Sequence, residues 1–174
     1  MYEHWWTFVW NRYASPCVSV RLLDLGARNG LKEAAAFAPL RYLNNASAVG
    51  VEPAEEEADR LRQSGEYKKV FAGGVAGYTG EAVLHVLNPL CSSIKRVNKA
   101  LLDDYGFHTD LYRDTGKRVP VQVKTLDDLL GDDKVFDFIK IDIHGVECEV
   151  LASMSDMLLK KATVIYPEGA SSND

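Results

Sequence analysis

Short apolar segments that end in a glycine or an acidic residue recur along this chain, and segments with helical spacing separate them. Residues 20–25 are mostly apolar and are ended by Gly26, and residues 47–52 are ended by Glu52 and Pro53. Further segments with strand character are residues 70–76, 81–87, 119–123, 136–142 and 163–166. Strands that alternate with helices predict an α/β domain with an open, mostly parallel sheet and helices on both faces.

Apolar residues spaced three or four apart predict where the helices lie. One helix is expected over residues 31–38, and another between Pro53 and Gly65. Residues 125–128 match a capping box before a short helix. The apolar positions of residues 146–158 fit one face of a single helix.

The length of 174 residues suits a single domain over residues 1–174. Its aromatic-rich residues 1–19 predict a short N-terminal helix, and its polar residues 88–118 predict an irregular insertion on the substrate side, with a helix near residues 98–105. No leader-like segment is found, and no apolar run approaches the roughly 20 residues that span a bilayer. We therefore expect a cytoplasmic protein without a membrane partner.

Charge and cysteine content exclude further classes. The net charge is -5 and no long basic run is found, which argues against a nucleic-acid partner. The three cysteines are far apart without a CxxC pair, which excludes a zinc knuckle and disfavours a disulfide framework. Free thiols fit a reducing cytosol, and Cys148 is expected as a small buried residue of a helix.

Residues 24–30 lie where a predicted strand turns into a helix. Glycine lets a backbone turn tightly and approach a ligand, and open parallel sheets bind ligands beyond the carboxyl ends of their strands. A dinucleotide fingerprint needs glycine at its first, third and sixth positions, which here hold Gly26, Arg28 and Leu31. The spacing disfavours a nicotinamide oxidoreductase and fits a nucleoside-type cofactor without a pyrophosphate. A purely structural glycine turn is the alternative.

Glu52 ends the second predicted strand, about two dozen residues beyond this turn. An acidic residue at that place can accept hydrogen bonds from both ribose hydroxyls of a nucleoside. The alternative is a solvent-exposed carboxylate at a strand end.

Charged residues cluster around the end of the predicted buried strand 136–142. Lys140 lies inside this apolar strand and therefore needs a partner or a cleft. His144 is a candidate general base because imidazole changes charge near neutral pH, and Asp142 is the second candidate. A helix cap by Asp142 is one alternative. A metal site of Asp142, His144 and Glu147 is another, but that spacing is not diagnostic, and we expect no metal.

Several of these segments, taken in order, resemble FkbM-like methyltransferases: Asp24–Gly30, Glu52–Pro53, a hairpin around Gly80, Ser92–Ser93, Thr125–Asp128 and Asp137–Glu147. Residues 138–142, followed by Gly145 and Glu147, are similar to that family's LKID-x-x-G-x-E segment. The resemblance covers roughly residues 20–168. It implies a Rossmann-like class I fold and methyl transfer from S-adenosylmethionine to a hydroxyl of a small molecule or sugar.

The resemblance also implies a role for each matching residue. Glu52 would hold the ribose. Asp142 would lie beside the methyl-transfer cleft, with Lys140 and Glu147 supporting it and Ser92–Ser93 on the substrate side. The methionine end of the cofactor would be lined by Asp24, Gly26, Ala27 and Gly30.

Three features depart from the family's pattern. Arg28 stands where the family usually has Asn, and Gly77 stands where an acidic residue often lies near the adenine. The C-terminal strand pair that normally completes the sheet is missing, which predicts an exposed edge. A natural short form, a truncated chain and a homodimer that covers the edge are the alternatives that would account for it. These departures leave open a non-catalytic or truncated binding or scaffold protein with this fold.

Overall fold

The computed structural model describes residues 19–31, 45–87, 92–98, 100, 104 and 114–167. The strands in this part of the chain are β1 (Val20–Leu25), β2 (Ala46–Glu52), β3 (Lys69–Ala72), β4 (Gly74–Val75), β5 (Gly80–Val86), β6 (Lys117–Lys124), β7 (Phe138–Ile141) and β8 (Val164–Pro167). The helices whose bounds lie within the described residues are α1 (Glu55–Ser64), α2 (Leu126–Leu130), α3 (Glu147–Ser153) and α4 (Asp156–Lys161).

A five-stranded parallel sheet forms the centre of the fold, in the order β3-β2-β1-β7-β8. The chain runs outward from β1 to β3 on one side and then returns to β7 on the other side. Such a reversal opens a crevice at the carboxyl ends of the central strands, where open α/β sheets bind their ligands. This arrangement confirms the predicted Rossmann-like α/β fold.

Two buried apolar clusters pack on opposite faces of this sheet. Because alternate residues of a strand point to opposite faces, Leu23 and Leu25 enter one cluster and Leu22 enters the other. Val150 of α3 packs in the first cluster, and Leu61 of α1 packs in the second. The helices therefore cover both faces, as predicted.

A smaller three-stranded sheet has the order β4-β6-β5, with β5 and β6 antiparallel. The sequence predicted one strand over residues 70–76, but the chain breaks at Gly73, whose φ is +137°. β3 pairs with β2 in the large sheet, whereas β4 pairs with β6 in the small one. Gly73 donates its N–H to the Glu52 carbonyl at 3.0 Å, so the break lies beside the end of β2.

Residues at the helix ends correctly predicted where α1 and α2 lie. Acidic residues occupy the first turn of α1, and Gly65 ends this helix in the left-handed conformation with φ 72°. Thr125 caps α2 by accepting a hydrogen bond from the Asp128 N–H at 3.2 Å.

The predicted single helix over residues 146–158 is wrong, because the chain forms α3 and α4 with extended residues between them. Ser155 precedes α4 and donates its N–H to Asp127 Oδ2 of α2 at 2.9 Å. The Asp127 carboxylate therefore accepts a hydrogen bond from the Ser155 N–H. In one continuous helix this N–H would instead bond to a backbone carbonyl of the same helix. The expected burial of Cys148 is also wrong, since this free cysteine is exposed on α3.

Several expectations lie outside the described residues, namely those on residues 1–18, on the helix over residues 31–38 except Leu31, and on most of residues 88–113. In the part that is described, the large sheet ends at β8, where Val164 and Tyr166 are exposed. None of the described helices has the length and apolar character needed to cross a membrane.

We expect Leu23→Ala to lower the free energy of unfolding by about 2–5 kcal/mol, because Leu23 is 0% exposed in the central strand and its truncation leaves a cavity. Urea denaturation followed by circular dichroism measures this loss. Val135→Ala, at a position that is 45% exposed, should change stability by less than about 0.5 kcal/mol. Equal losses in both variants would contradict the proposed core.

Candidate functional site

The carboxyl ends of β1, β2 and β7 bring three predicted segments together at the crevice. Gly26 and Ala27 each donate an N–H to the Val51 carbonyl at 3.0 Å, which ties the glycine turn to the end of β2. Asp142 donates its N–H to the Leu25 carbonyl at 3.0 Å, which ties the segment after β7 to the same turn. The glycine turn, Glu52 and Asp142 therefore belong to one site.

Gly26 is the tightest point of this site. Its φ is +78°, and a Cβ added there would lie 1.9 Å from the carbonyl oxygen of Asp142. Only glycine allows the turn after β1 and the segment after β7 to approach each other this closely. Ala27 packs its methyl group in the apolar cluster beneath the turn, and Gly30 turns with φ +82°.

Two carboxylates hold the outer side of the glycine turn. Glu57 of α1 accepts a hydrogen bond from the Asn29 N–H at 2.9 Å, and Glu66 accepts one from the Leu31 N–H at 3.0 Å. Hydrogen bonds from Arg60 are the main cause that lowers the pKa of Glu57 to about 2. Sequence analysis missed both carboxylates, since nothing in their local pattern points to a turn about 30 residues away.

Glu52 is buried at the end of β2, and its Oε1 accepts a hydrogen bond from the Ala54 N–H at 3.0 Å. Burial raises the pKa of Glu52, although the Ala54 N–H and the nearby positive charge of Arg28 act in the opposite direction. A buried acidic group at this position is therefore an acceptor at the crevice rather than a solvated carboxylate on the surface.

A buried polar network lies beneath the glycine turn. Asp24 is 1% exposed, and both of its carboxylate oxygens accept hydrogen bonds. Tyr67 donates its hydroxyl to Asp24 Oδ2 at 2.6 Å, and Lys140 donates from Nζ to Asp24 Oδ1 at 3.3 Å. Tyr67 was missed by sequence analysis because a lone tyrosine between α1 and β3 carries no recognisable motif.

Lys140 connects this network to the rest of the site. Its ammonium group also lies 3.3 Å from the Gly26 carbonyl oxygen and 3.3 Å from Asp142 Oδ2. Burial lowers the pKa of Lys140, but the carboxylates of Asp24 and Asp142 outweigh this effect and raise the pKa above its ordinary value. Lys140 is therefore a charged residue held by three oxygens of the protein.

The charges in the network also act on Asp24 and Tyr67. Burial raises the pKa of Asp24, and the hydrogen bonds and charge from Lys140 and Tyr67 oppose that rise. Burial and the Asp24 carboxylate both raise the pKa of Tyr67, so its hydroxyl keeps its proton and remains a donor.

Asp142 and His144 form the accessible part of the site. Their side chains are 25% and 35% exposed, and His144 Nε2 lies 3.7 Å from Asp142 Oδ1. His144 has a positive φ of 54°, and its carbonyl oxygen accepts a hydrogen bond from the Ser93 hydroxyl. Ser93 Oγ in turn accepts the Lys95 N–H at 2.9 Å, so the serine segment lies against the loop that carries His144.

Glu147 shapes this loop. It is buried at the start of α3, and its two carboxylate oxygens accept from the Gly145 N–H at 3.0 and 2.8 Å. Among the residues that the structure describes, no group of three or more His, Cys, Asp and Glu side chains is arranged to hold a metal ion. The alternative of a metal site at Asp142, His144 and Glu147 gains no support.

A cleft of about 630 Å³ is lined by the Gly77–Tyr78 turn, the Ile94–Lys95 segment and α3. Its wall includes Val146, and Lys95 Nζ pairs with Glu149 Oε1 at 2.6 Å. Gly77 lies against α3, because an added Cβ would be 3.0 Å from the Glu149 carbonyl oxygen. The glycine that replaces an expected acidic residue thus allows a close contact between the turn and the helix.

The strand order and the glycine turn define a Rossmann-like α/β domain of the class that binds nucleoside-type cofactors at its crevice. The family model of the methyltransferase FkbM domain matches residues 24–171. The chain belongs to this family, which confirms the resemblance seen in the sequence, and it is a methyltransferase domain. Neither the curated proteins nor the solved structures contain a match to the chain.

We expect Gly26→Ala to destabilise the fold more than Gly65→Ala does. Both glycines have positive φ, so each substitution should cost about 1–2 kcal/mol of backbone strain. A methyl group added at Gly65 would meet no atom within 4 Å, whereas the one added at Gly26 would clash with Asp142 and cost about 1–3 kcal/mol more. Urea denaturation of the two variants measures this difference, and equal stabilities would contradict the steric clash expected at Gly26.

Proposed function

We propose that this methyltransferase domain uses S-adenosylmethionine to methylate a hydroxyl group of a small molecule or sugar. The observation that supports the proposal is the meeting of the glycine turn, buried Glu52 and partly exposed Asp142 at one crevice, in a chain of the FkbM family.

The chemistry of the residues at the crevice fits this cofactor. Glu52 offers carboxylate oxygens where an open α/β sheet binds the ribose of a nucleotide. The Asp142 carboxylate, which shares the Lys140 ammonium with the Gly26 carbonyl oxygen, offers a negative charge beside the glycine turn. S-adenosylmethionine, when bound, supplies a methyl group already activated by a positively charged sulfur, so the protein has mainly to position the reactants.

Asp142 and His144 are the candidates for accepting the proton of the substrate hydroxyl. In this proposal His144 takes the proton on an imidazole nitrogen, and the Asp142 carboxylate 3.7 Å away stabilises the resulting positive charge. Lys140 is 4% exposed, and its ammonium is engaged with three oxygens of the protein. We therefore assign Lys140 to holding Asp142 in place rather than to proton transfer.

The cleft beside α3 is the proposed acceptor site. Val146 on its wall follows the His144–Gly145 loop in the chain, and on this basis we infer that the cleft lies near the candidate base. Its volume of about 630 Å³ lies within the usual range for small-molecule sites. Lys95 and Glu149 neutralise each other in its lining, which favours a neutral acceptor that can both donate and accept hydrogen bonds.

The net charge and Cys148 support a proposal for the partners and the cellular location. A neutral hydroxyl compound rather than a nucleic acid suits a chain with a net charge of -5. The exposed free thiol of Cys148 suits a reducing compartment, and we place the protein in the cytosol.

Calorimetry with S-adenosylhomocysteine tests the cofactor assignment. We expect micromolar binding by the wild-type chain and a loss of affinity of about tenfold to a hundredfold in Glu52→Gln, because a hydrogen bond to a charged acceptor is removed. Glu56→Gln is the matched control, since Glu56 is exposed on α1. A folded wild-type chain that binds no S-adenosylhomocysteine would refute the assignment, and so would equal affinities of the two variants.

Ala152→Trp tests the acceptor site. Ala152 lines the cleft and is exposed, so a Trp side chain there should fill the cleft without disturbing the core. Turnover is measured as S-adenosylhomocysteine formed with a panel of sugars, glycosides and phenols. We expect the variant to lose activity on the order of a hundredfold, since small displacements of a substrate can cost that much, while its affinity for S-adenosylhomocysteine stays unchanged.

Cys148→Trp is the control for this test, because Cys148 is exposed on the same helix and is not among the residues lining the cleft. Equal activity of the two Trp variants would contradict the placement of the acceptor. A wild-type chain that binds the cofactor but methylates nothing in the panel would instead indicate a binding protein without turnover.

A further inference from the structure

Two carboxylates share one ammonium group beneath the glycine turn. Lys140 Nζ lies 3.3 Å from Asp24 Oδ1 and 3.3 Å from Asp142 Oδ2. Tyr67, the other side chain bonded to Asp24, is a neutral donor. With both carboxylates ionised, the cluster of Asp24, Tyr67, Lys140 and Asp142 carries a net charge of minus one.

The hydrogen bonds at Asp24 favour its ionised form as a partner of Lys140. One of its oxygens accepts from the Tyr67 hydroxyl and the other accepts from the ammonium. A carboxylate that accepts at both oxygens is stabilised in its charged form, and a buried ammonium needs a counter-ion. Asp24 and Lys140 therefore neutralise each other inside the protein.

Of the two carboxylates, Asp142 is the one that reaches the crevice. Asp24 is enclosed at 1% exposure, whereas the Asp142 side chain is 25% exposed. Lys140 Nζ lies 3.3 Å from both the Gly26 carbonyl oxygen and Asp142 Oδ2, which places the Asp142 carboxylate next to the glycine turn. The positive charge of Arg28 acts on Glu52 and Glu57, the acidic groups on the β2 side of the turn.

We propose that the Asp142 carboxylate makes the crevice bind a cofactor with a positively charged sulfur more tightly than one with a neutral sulfur. S-adenosylmethionine carries a positive sulfonium, whereas its product S-adenosylhomocysteine carries a neutral thioether, and their other groups are the same. A carboxylate near the sulfur stabilises only the sulfonium, so the donor binds more tightly than the product. The inference rests on the proposed function, because it assigns the same cofactor to the same crevice.

This selection has a consequence for turnover. Methyl transfer removes the positive charge from the sulfur, and the attraction to Asp142 is lost at that moment. The product then leaves more easily, and fresh donor displaces it. Opposite charges a few ångströms apart near a protein surface interact strongly enough to shift such an equilibrium on the order of tenfold.

Calorimetry with three probes tests the inference without turnover. The probes are S-adenosylmethionine, S-adenosylhomocysteine and sinefungin, whose amine carries a positive charge in place of the sulfonium. In Asp142→Asn we expect the affinity for both cationic probes to fall about tenfold, while S-adenosylhomocysteine binds within about twofold of wild type. Asp142→Glu keeps the charge and should keep the preference for cations.

Glu81→Gln is the charge control, because Glu81 lies on β5 and bonds to Gln122 in the smaller sheet. It should leave all three affinities unchanged. An equal loss for charged and neutral probes in Asp142→Asn, or no loss for any probe, would overturn the role of Asp142 while leaving the cofactor site intact. A wild-type chain that binds none of the three probes would refute the proposed function itself. Thermal melting confirms that each variant is folded.

Discussion

The ammonium group of Lys140 is the interaction on which the arrangement of the site depends. It joins Asp24 on β1, the Gly26 carbonyl in the turn and Asp142 after β7, each at 3.3 Å. Removing one partner of a buried ion pair leaves an uncompensated charge and typically costs about 3–5 kcal/mol. Any displacement of the turn or of the segment after β7 would weaken these contacts together, so the network keeps two distant parts of the chain in register.

The scaffold makes this network possible by reversing the strand order at β1. Neighbouring β1 and β7 are parallel, so their carboxyl ends lie at the same edge of the sheet. Apolar clusters on both faces fix the two strands, and Gly26 lets their ends approach more closely than any side chain would allow. The break at Gly73 then separates β3 from β4, and the smaller sheet carries the Gly77–Tyr78 turn toward α3.

Burial divides the acidic residues of the site into different kinds of group. Asp24 is enclosed and neutralised within the protein, whereas Asp142 reaches the crevice beside His144. Glu52 is buried at the end of β2, where burial raises its pKa. Glu147 uses its oxygens to hold the Gly145 N–H. Four carboxylates that look alike in a sequence therefore have different roles. Asp24 and Glu147 maintain the site, whereas Glu52 and Asp142 are available to ligands and protons in the proposed function.

The sequence by itself determined the features that depend on neighbouring residues. Apolar runs located β1 and β2, a capping residue located α2, and a charged residue in an apolar strand showed that Lys140 needs a partner. Only the tertiary structure decided which partner that is, and that Tyr67, Glu57 and Glu66 support the turn. It also split residues 146–158 at Ser155, where a carboxylate from α2 binds the backbone. Local patterns report on backbone preference and burial. Contacts between residues far apart in the chain depend on which segments the folded sheet and helices bring together.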